Sequence, residues 1–202
     1  MSPGPTFDRV YLALKEQLTG GRFAPGEHLE PTALGEELAA SITPVRDALH
    51  RLVGERIVEA PRNDGFRVPI VTELLLRQLY GWQADLVRLS MAHQKPDPDG
   101  KVQSWLSLGD STSLHAADLF MELARTSGNW ELVTALANAC DRLGPATLLE
   151  GRFISDLEDE LEKLRTFVST GDLAALRSAV TAYGRRRERV VPQLVDAFQR
   201  AF

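Results

Sequence analysis

The twelve residues SITPVRDALHRL, Ser41–Leu52, constrain the fold of this chain more than any other stretch. A threonine followed by proline marks an abrupt helix start. The spacing predicts Thr43 as the N-cap, its hydroxyl accepting from a free N–H, and Pro44 at the first helical position, where a missing N–H costs nothing. Val45, Ala48, Leu49, Leu52 and Val53 then share one face, while Arg46, Asp47 and His50 lie on the other. A second short pattern, Pro31–Ala40 with Leu34 and Leu38, ends just upstream, and two short helices with so tight a link form a helix-turn-helix. Downstream, IVEA and FRVP alternate around PRNDG, where Asp64-Gly65 is expected to supply the positive φ of a tight hairpin, adding a wing.

Around this motif the chain divides in two. Thr6–Leu18 carries Val10, Leu14 and Leu18 four apart and stops at Gly20-Gly21, and RFAPGEHL reads as a turn. Beyond a boundary at Val68–Thr72 the sequence becomes almost wholly long and amphipathic. Helices are expected over Thr72–His93, closed by QKPDPDGK, and over Leu114–Arg125, followed by a cap-like Ser-Gly-Asn at 127–129. Trp130–Leu143 is expected to stop before Gly144-Pro145, with Ala146–Ser169 and Leu173 to about Ala201 after it, the last bent near Pro192. The expected fold is mainly α: a winged helix-turn-helix over residues 1–70 and an all-helical bundle of six or so helices, without strands, over 71–202.

Composition narrows the function classes. The 202 residues contain one cysteine, Cys140, which excludes an internal disulfide and a multi-cysteine zinc site. No run of about 18 apolar residues exists and MSPGPTFDRV lacks the layout of an export signal, so a cytoplasmic, non-membrane protein is expected. There is no P-loop, dinucleotide fingerprint, HExxH or serine elbow, and the four histidines are scattered, which argues against an enzyme. Net charge is −5, and residues 1–70 hold eight Lys/Arg against ten Asp/Glu. Bulk charge therefore supplies none of the counterion release that drives DNA affinity; any basic surface must come from placement.

VYLALKEQLTGGRFAPGEHL, LGEELAASITPVRDALHRLVGERIVE and the RNDGFRV wing together resemble the winged helix-turn-helix of the GntR family of bacterial transcription regulators, over about 60 residues. The remainder, from VTELLLRQLYGWQADL through ARTSGN and STGDLAAL, resembles the all-helical (FCD-type) effector domain of its FadR-like branch. The resemblance implies a homodimeric regulator, usually a repressor, reading a two-fold DNA operator. A degenerate regulator or protein-interaction module without specific DNA binding is the alternative, favoured by the acidic head.

A recognition helix presents its first residues to base edges and phosphates. Arg46, whose planar fork bonds two acceptors at once, is the best candidate for guanine or phosphate, against a merely solvated arginine. Ser41, Thr43 and Pro44 stand at the helix start, where free N–H groups attract phosphate, although capping alone explains Thr43. His50 shares the polar face, Thr32 opens the preceding helix, and Arg62, Asn63 and Gly65 form the wing tip, which in the family enters the minor groove. Where the family usually has an arginine this chain has Ile42, able to meet a thymine methyl but not to read guanine.

Many FadR-like bundles hold a divalent metal through an aspartate and three histidines. Alignment on FMELARTSGN and STGD puts Ala117, Met121, Leu161 and Tyr183 at those positions, so no metal or other cofactor is expected. A relocated site on His115 and Asp118 is the alternative, against a surface histidine and a solvated acid. The family's frequent effector-binding arginine falls on Gln83. A small-molecule effector, if one binds, is then a more apolar molecule among Trp82, Gln83, Asp118, Met121, Arg142, Leu161 and Tyr183, in a cavity otherwise refilled by apolar atoms.

Overall fold

A computed structural model describes residues 5–93 and 115–201. In chain order the described helices are α1 (Pro5–Thr19), α2 (Pro31–Glu37), α3 (Ile42–Gly54), α4 (Glu73–Ala92), α5 (Ala116–Thr126), α6 (Trp130–Glu150), α7 (Leu157–Ser169) and α8 (Leu173–Ala201). They fall into two compact units. The first comprises Met1–Glu73, Asp141–Leu149 and Leu194–Phe202; the second comprises Leu74–Cys140 and Glu150–Gln193. The first unit thus takes in the ends of α6 and α8, far along the chain from the helix-turn-helix.

In the first unit, Val10, Leu14 and Leu18 of α1 meet Val45, Ala48, Leu49 and Leu52 of α3 in one core, joined by Leu29, Leu34, Ile57, Val58 and Phe66. The wing is closed by isolated antiparallel bridges from Arg67 to both His28 and Glu59. Glu59 and Arg67 exchange both backbone bonds, and the Leu29 N–H donates to the Phe66 carbonyl, so RFAPGEHL is more than a turn: it ends as a third edge of the wing. At the wing tip positive φ falls on Asn63 (61°) and Gly65 (67°), not on Asp64. Gly65 thus has the expected positive φ, while Asn63, whose side chain tolerates the left-handed region better than most, takes the other in place of Asp64, and the turn closes with the Asp64 N–H donating to the Pro61 carbonyl.

The start of α3 is also corrected. Ser41, not Thr43, is the N-cap, with extended φ/ψ of −72° and 162° and no side-chain capping bond. Thr43 and Pro44 lie inside the first turn, where N–H groups have no intrahelical acceptor anyway, so proline is as well accommodated there as at the first position.

In the second unit α4 buries Leu76, Leu79, Tyr80, Gln83, Ala84, Leu86, Val87, Ser90 and Met91 on one side. These pack with Leu119, Phe120 and Leu123 of α5, Leu132, Leu136 and Ala139 of α6, Leu164 and Val168 of α7, and Leu176, Val180 and Tyr183 of α8. Gly128 (φ 68°) ends α5, and the Asn129 side chain caps α6 by accepting from the Glu131 and Leu132 N–H groups. The expected stop at Leu143 is absent: α6 runs through Gly144-Pro145 to Glu150, and the chain turns at 151–156 before α7. Helix α8 likewise contains Pro192 within one continuous span. The closing segment QKPDPDGK and Leu114 lie outside the described residues.

Candidate nucleic-acid interface

Helix α3 is held from one end and left open at the other. At its C-terminal end Glu55 accepts from the Tyr11 hydroxyl (2.7 Å) and from Lys15 Nζ (2.9 Å), and Lys15 also reaches Asp141 Oδ2 at 2.7 Å. Arg51 lies 3.9 Å from the Tyr11 ring centroid and 3.4 Å from Glu55. Burial alone would raise the Glu55 carboxyl, but bonds from Tyr11 and Lys15 and the charges of Lys15 and Arg51 bring it below its ordinary value. The link from α2 is fixed by Arg9, which donates to the carbonyls of Leu38 (2.8 Å) and Ala39 (3.3 Å), and by the Ala40 N–H, which donates to the Gly35 carbonyl. These bonds occupy carbonyls at the end of α2 that would otherwise be orphaned, and hold Ala39 at a positive φ of 47°.

At the N-terminal end no described residue covers the helix. Ser41, Ile42, Thr43, Arg46, Asp47 and His50 are exposed and Pro44 is half-buried, with Ile42 46% exposed despite being apolar. Thr32 on α2 is exposed, as are Arg62, Asn63 and Gly65 at the wing tip. The His50 ring packs edge-on to Phe66, centroids 4.9 Å apart, tying the polar face of α3 to the base of the wing.

The disposition of charge separates used cations from free ones. Lys15, Arg22, Arg51 and Arg67 each pair with an acid, Arg22 with Glu37 and Arg67 with Glu59 (3.0 Å), while Arg9 is spent on carbonyls. Arg46 at the open end of α3, Arg62 at the wing tip and Arg56 are exposed and have no partner among the described residues. Five of the unit's eight cations before residue 70 are thus committed to the fold, and two of the remaining three stand at the open end of α3 and at the wing tip.

The residues expected around an effector are placed less uniformly. Gln83, on α4, is 2% exposed; its Nε2 meets Cys140 Sγ at 3.3 Å and its Oε1 has no hydrogen-bond partner among the described residues. Tyr183 is buried, edge-on to Phe120 at 5.1 Å, and α8 comes close to α4 beside it, at Gly184 and Ala84. Met121 and Leu161 are half-buried, Met121 against the bundle core. Trp82 is 47% exposed, and Asp118 is exposed and accepts from the His115 N–H at 3.0 Å, ending its carboxylate on a helix start. Arg142 belongs to the first unit. A groove of about 490 Å³ runs along α8 instead, lined by Arg177, Thr181, Arg185, Arg186 and Arg189 among others, and none of the expected residues borders it.

Sequence reasoning missed a buried polar chain in the bundle. Arg187, 2% exposed, donates to Glu150 Oε2 through Nε (3.0 Å) and Nη2 (2.9 Å) and to Glu160 Oε2 at 2.6 Å, while the Tyr80 hydroxyl donates to Glu150 Oε1 at 2.8 Å. Burial holds the Glu150 carboxyl above its ordinary value against the opposing charge of Arg187. The Arg187 guanidinium also covers the Tyr183 ring at 3.3 Å. No local pattern announces this, because the partners are 27, 37 and 70 residues apart.

Residues 6–68 match the family of bacterial regulatory proteins, gntR family. The chain is 33% identical over 76 residues to the transcriptional repressor GlaR of Escherichia coli, covering 38% of this chain and 34% of GlaR. It is 34% identical over 87 residues to the E. coli regulator McbR, covering 42% and 39%. The matches therefore span well under half the length of these curated relatives. Among solved structures, a GntR transcriptional regulator from Rhodococcus superposes with a TM-score of 0.73 at 17% identity over 94% of this chain and 99% of that one. E. coli McbR gives 0.66 at 22% identity over 95% and 99%. At such identities the likeness to solved structures shows the fold alone, a helix-turn-helix domain followed by a helical domain.

Proposed function

We propose that this chain, whose residues 6–68 are a GntR-family DNA-binding domain, is a cytoplasmic transcriptional repressor that binds a two-fold operator as a homodimer. The single observation that carries the reading is the free Arg46 beside uncovered Ser41 and Thr43 hydroxyls at the open end of a helix whose other end is anchored. Arg46 is assigned to a guanine or a phosphate, the first N–H groups of α3 to a phosphate, Ile42 to a thymine methyl, and Arg62 and Asn63 to the neighbouring groove. Thr32 is assigned to the DNA backbone, and His50 to the same polar face of α3 as Arg46. The absence of bulk positive charge makes these few contacts carry most of the electrostatic attraction, and salt dependence should be shallow.

The test is fluorescence anisotropy with DNA flanking the protein's own gene. Arg46→Ala is expected to weaken binding about 5- to 150-fold, the equivalent of about 1–3 kcal/mol, without lowering thermal stability. Failure of the wild type to bind any such fragment at low salt sinks the reading in favour of a protein-interaction module.

The helical part is read as an FCD-type effector domain without the metal ligands. Gln83 supports a ligand bearing an N–H or O–H donor, since its buried Oε1 lacks one and such an orphan costs about 1–3 kcal/mol. Apolar surface from Met121, Leu161 and Tyr183 would complete that site. Regulation is then a coupling free energy between ligand and operator, supplied only by a ligand that prefers one arrangement of the dimer.

A further inference from the structure

Residues 177–189 of α8 read RSAVTAYGRRRER, five arginines and one acid in a chain whose net charge is −5. Helical periodicity divides them between two sides. Arg187 turns inward with Leu176, Val180 and Tyr183, while Arg177, Arg185 and Arg189 are exposed and Arg186 is half-buried at the edge. The groove of about 490 Å³ lies on that outer side, and its described lining consists of these four outer arginines with Ser178, Thr181 and Ala182. No acid is among them.

The acids at the start of α7 are already engaged. Asp156 pairs with Arg186, and Glu160 divides its two oxygens between Arg186 (3.2 Å) and the buried Arg187 (2.6 Å). Glu188, the one acid of the segment, does not line the groove. Arg177, Arg185 and Arg189 therefore have no partner among the described residues. Arg185 and Arg189 are also one helical turn apart, where like charges repel, and no described acid offsets that repulsion.

The geometry selects what such a groove takes. Every cation lining it is an arginine, whose planar fork gives two parallel bonds to the oxygens of a phosphate. The exposed Ser178 hydroxyl is a further donor, whereas the Thr181 hydroxyl already donates to the Arg177 carbonyl at 2.9 Å. Arg185 and Arg189 lie about 6 Å apart along the helix axis and Arg177 about 12 Å before Arg185, so a molecule with several anionic groups engages the row where a single group engages only part of it. The volume is that of a small-molecule site, about 300–1,000 Å³ in general, and a duplex is too thick to reach its floor.

We propose that this groove binds a small molecule carrying two or more phosphate groups, with Arg185 and Arg189 holding one phosphate and Arg177 another. Arg186, tied to Asp156 and Glu160, fixes the groove to α7. The proposal goes beyond the operator reading and does not rest on it: the groove belongs to the second unit and Arg46 to the first.

The experiment is isothermal titration calorimetry of the full chain with inorganic tripolyphosphate at about 50 mM salt, where charge attraction is not screened out. Saturable binding is expected, more than tenfold tighter than that of inorganic phosphate. Arg185→Gln/Arg189→Gln is expected to weaken it more than tenfold with the circular dichroism spectrum unchanged, and Arg185→Lys/Arg189→Lys, which keeps the charge and loses the forks, to weaken it less. Arg88→Gln/Arg125→Gln removes the same charge from two exposed arginines that pair within their own helices, and is expected to bind as the wild type does. Equal weakening by the two glutamine pairs, equal affinity for phosphate and tripolyphosphate, or no binding by the wild type overturns the proposal. So does a loss of duplex affinity in Arg185→Gln/Arg189→Gln with tripolyphosphate binding unaltered, which assigns the row to a nucleic-acid backbone. Failure of the wild type to bind operator DNA, by contrast, leaves the groove standing.

Discussion

The two units of this molecule handle charge in opposite ways. In the first, ion pairs sit at the rim: Lys15, Glu55 and Asp141 keep roughly a quarter of their side-chain surface in water. In the second, the side chains of Arg187 and Glu150 are 3% and 4% exposed and form the centre of a polar chain inside the bundle. The rim arrangement spends Lys15 and Arg51 on holding α3, while Arg46 and Arg62 have no partner among the described residues. The buried arrangement contributes nothing to a surface; it ties α8 to α4 through Tyr80 and to the N-terminal turn of α7 through Glu160. A network of that kind is costly to break and a weak source of net stability, because each charge gave up its water before it gained a partner.

The contrast is sharpest where one partner is removed. Arg187→Met leaves Glu150 buried without its cation, and a loss of about 3–5 kcal/mol is expected in urea unfolding. Lys15→Met, equally drastic on paper, is expected to cost no more than about 1 kcal/mol, since water replaces the lost partner. Adding Glu150→Gln to Arg187→Met should recover part of the larger loss. Equal losses for the two single variants would dissolve the distinction between rim and interior.

Next in size is a backbone contact that the sequence disguises. A Cβ at Gly144 falls 2.5 Å from the Thr19 carbonyl oxygen, so the end of α6 lies against the end of α1 with no room for a side chain. Gly144→Ala is expected to destabilise the first unit by about 1–3 kcal/mol, read by the melting temperature, because a backbone oxygen cannot swing aside as a side chain can. Gly81→Ala, with open space above it, is expected to leave the melting of an isolated subunit almost unchanged.

These positions show how far the sequence could be read. The stripes Val10-Leu14-Leu18 and Val45-Ala48-Leu49-Leu52 are local periodic patterns, and periodicity is set by the helix itself, so both helices and their buried faces were legible. The exposed face of α3 followed as the complement. Gly144-Pro145 was misread as a helix stop because glycine serves two ends, a break or a close approach, and only the position of Thr19, 125 residues earlier, decides between them. Proline within α6 costs one intrahelical bond and is tolerated where the packing requires the helix to continue. The link of Lys15 to both Glu55 and Asp141, and of Arg187 to Glu150 and Glu160, depends on pairings across tens of residues that no local rule supplies. The capping error at Thr43 is of another kind: serine and threonine two apart both satisfy the N-cap preference, and the side chains alone do not choose.

The smallest expected effects are in the pH dependence, and their signs differ between the units. Glu55 titrates in the fold below its ordinary value of 4.5. Its contribution is complete above that value and is lost as pH falls through the lower folded pKa, because the unfolded chain then binds the proton first. Glu150 titrates above the same ordinary value, held up by burial. The fold therefore binds its proton more readily than the unfolded chain does, and its contribution is complete at low pH and lost as pH rises from 4.5 through the raised folded value. Urea midpoints measured from pH 3 to 8 should show the two slopes separately. Glu55→Gln is expected to flatten the acid-side fall of the wild type, and Glu150→Gln to flatten the decline on the neutral side, whatever each does to the absolute midpoint. If Glu150→Gln leaves the neutral-side slope unchanged, the carboxyl is titrating at its ordinary value despite burial, Arg187 having offset the whole desolvation cost.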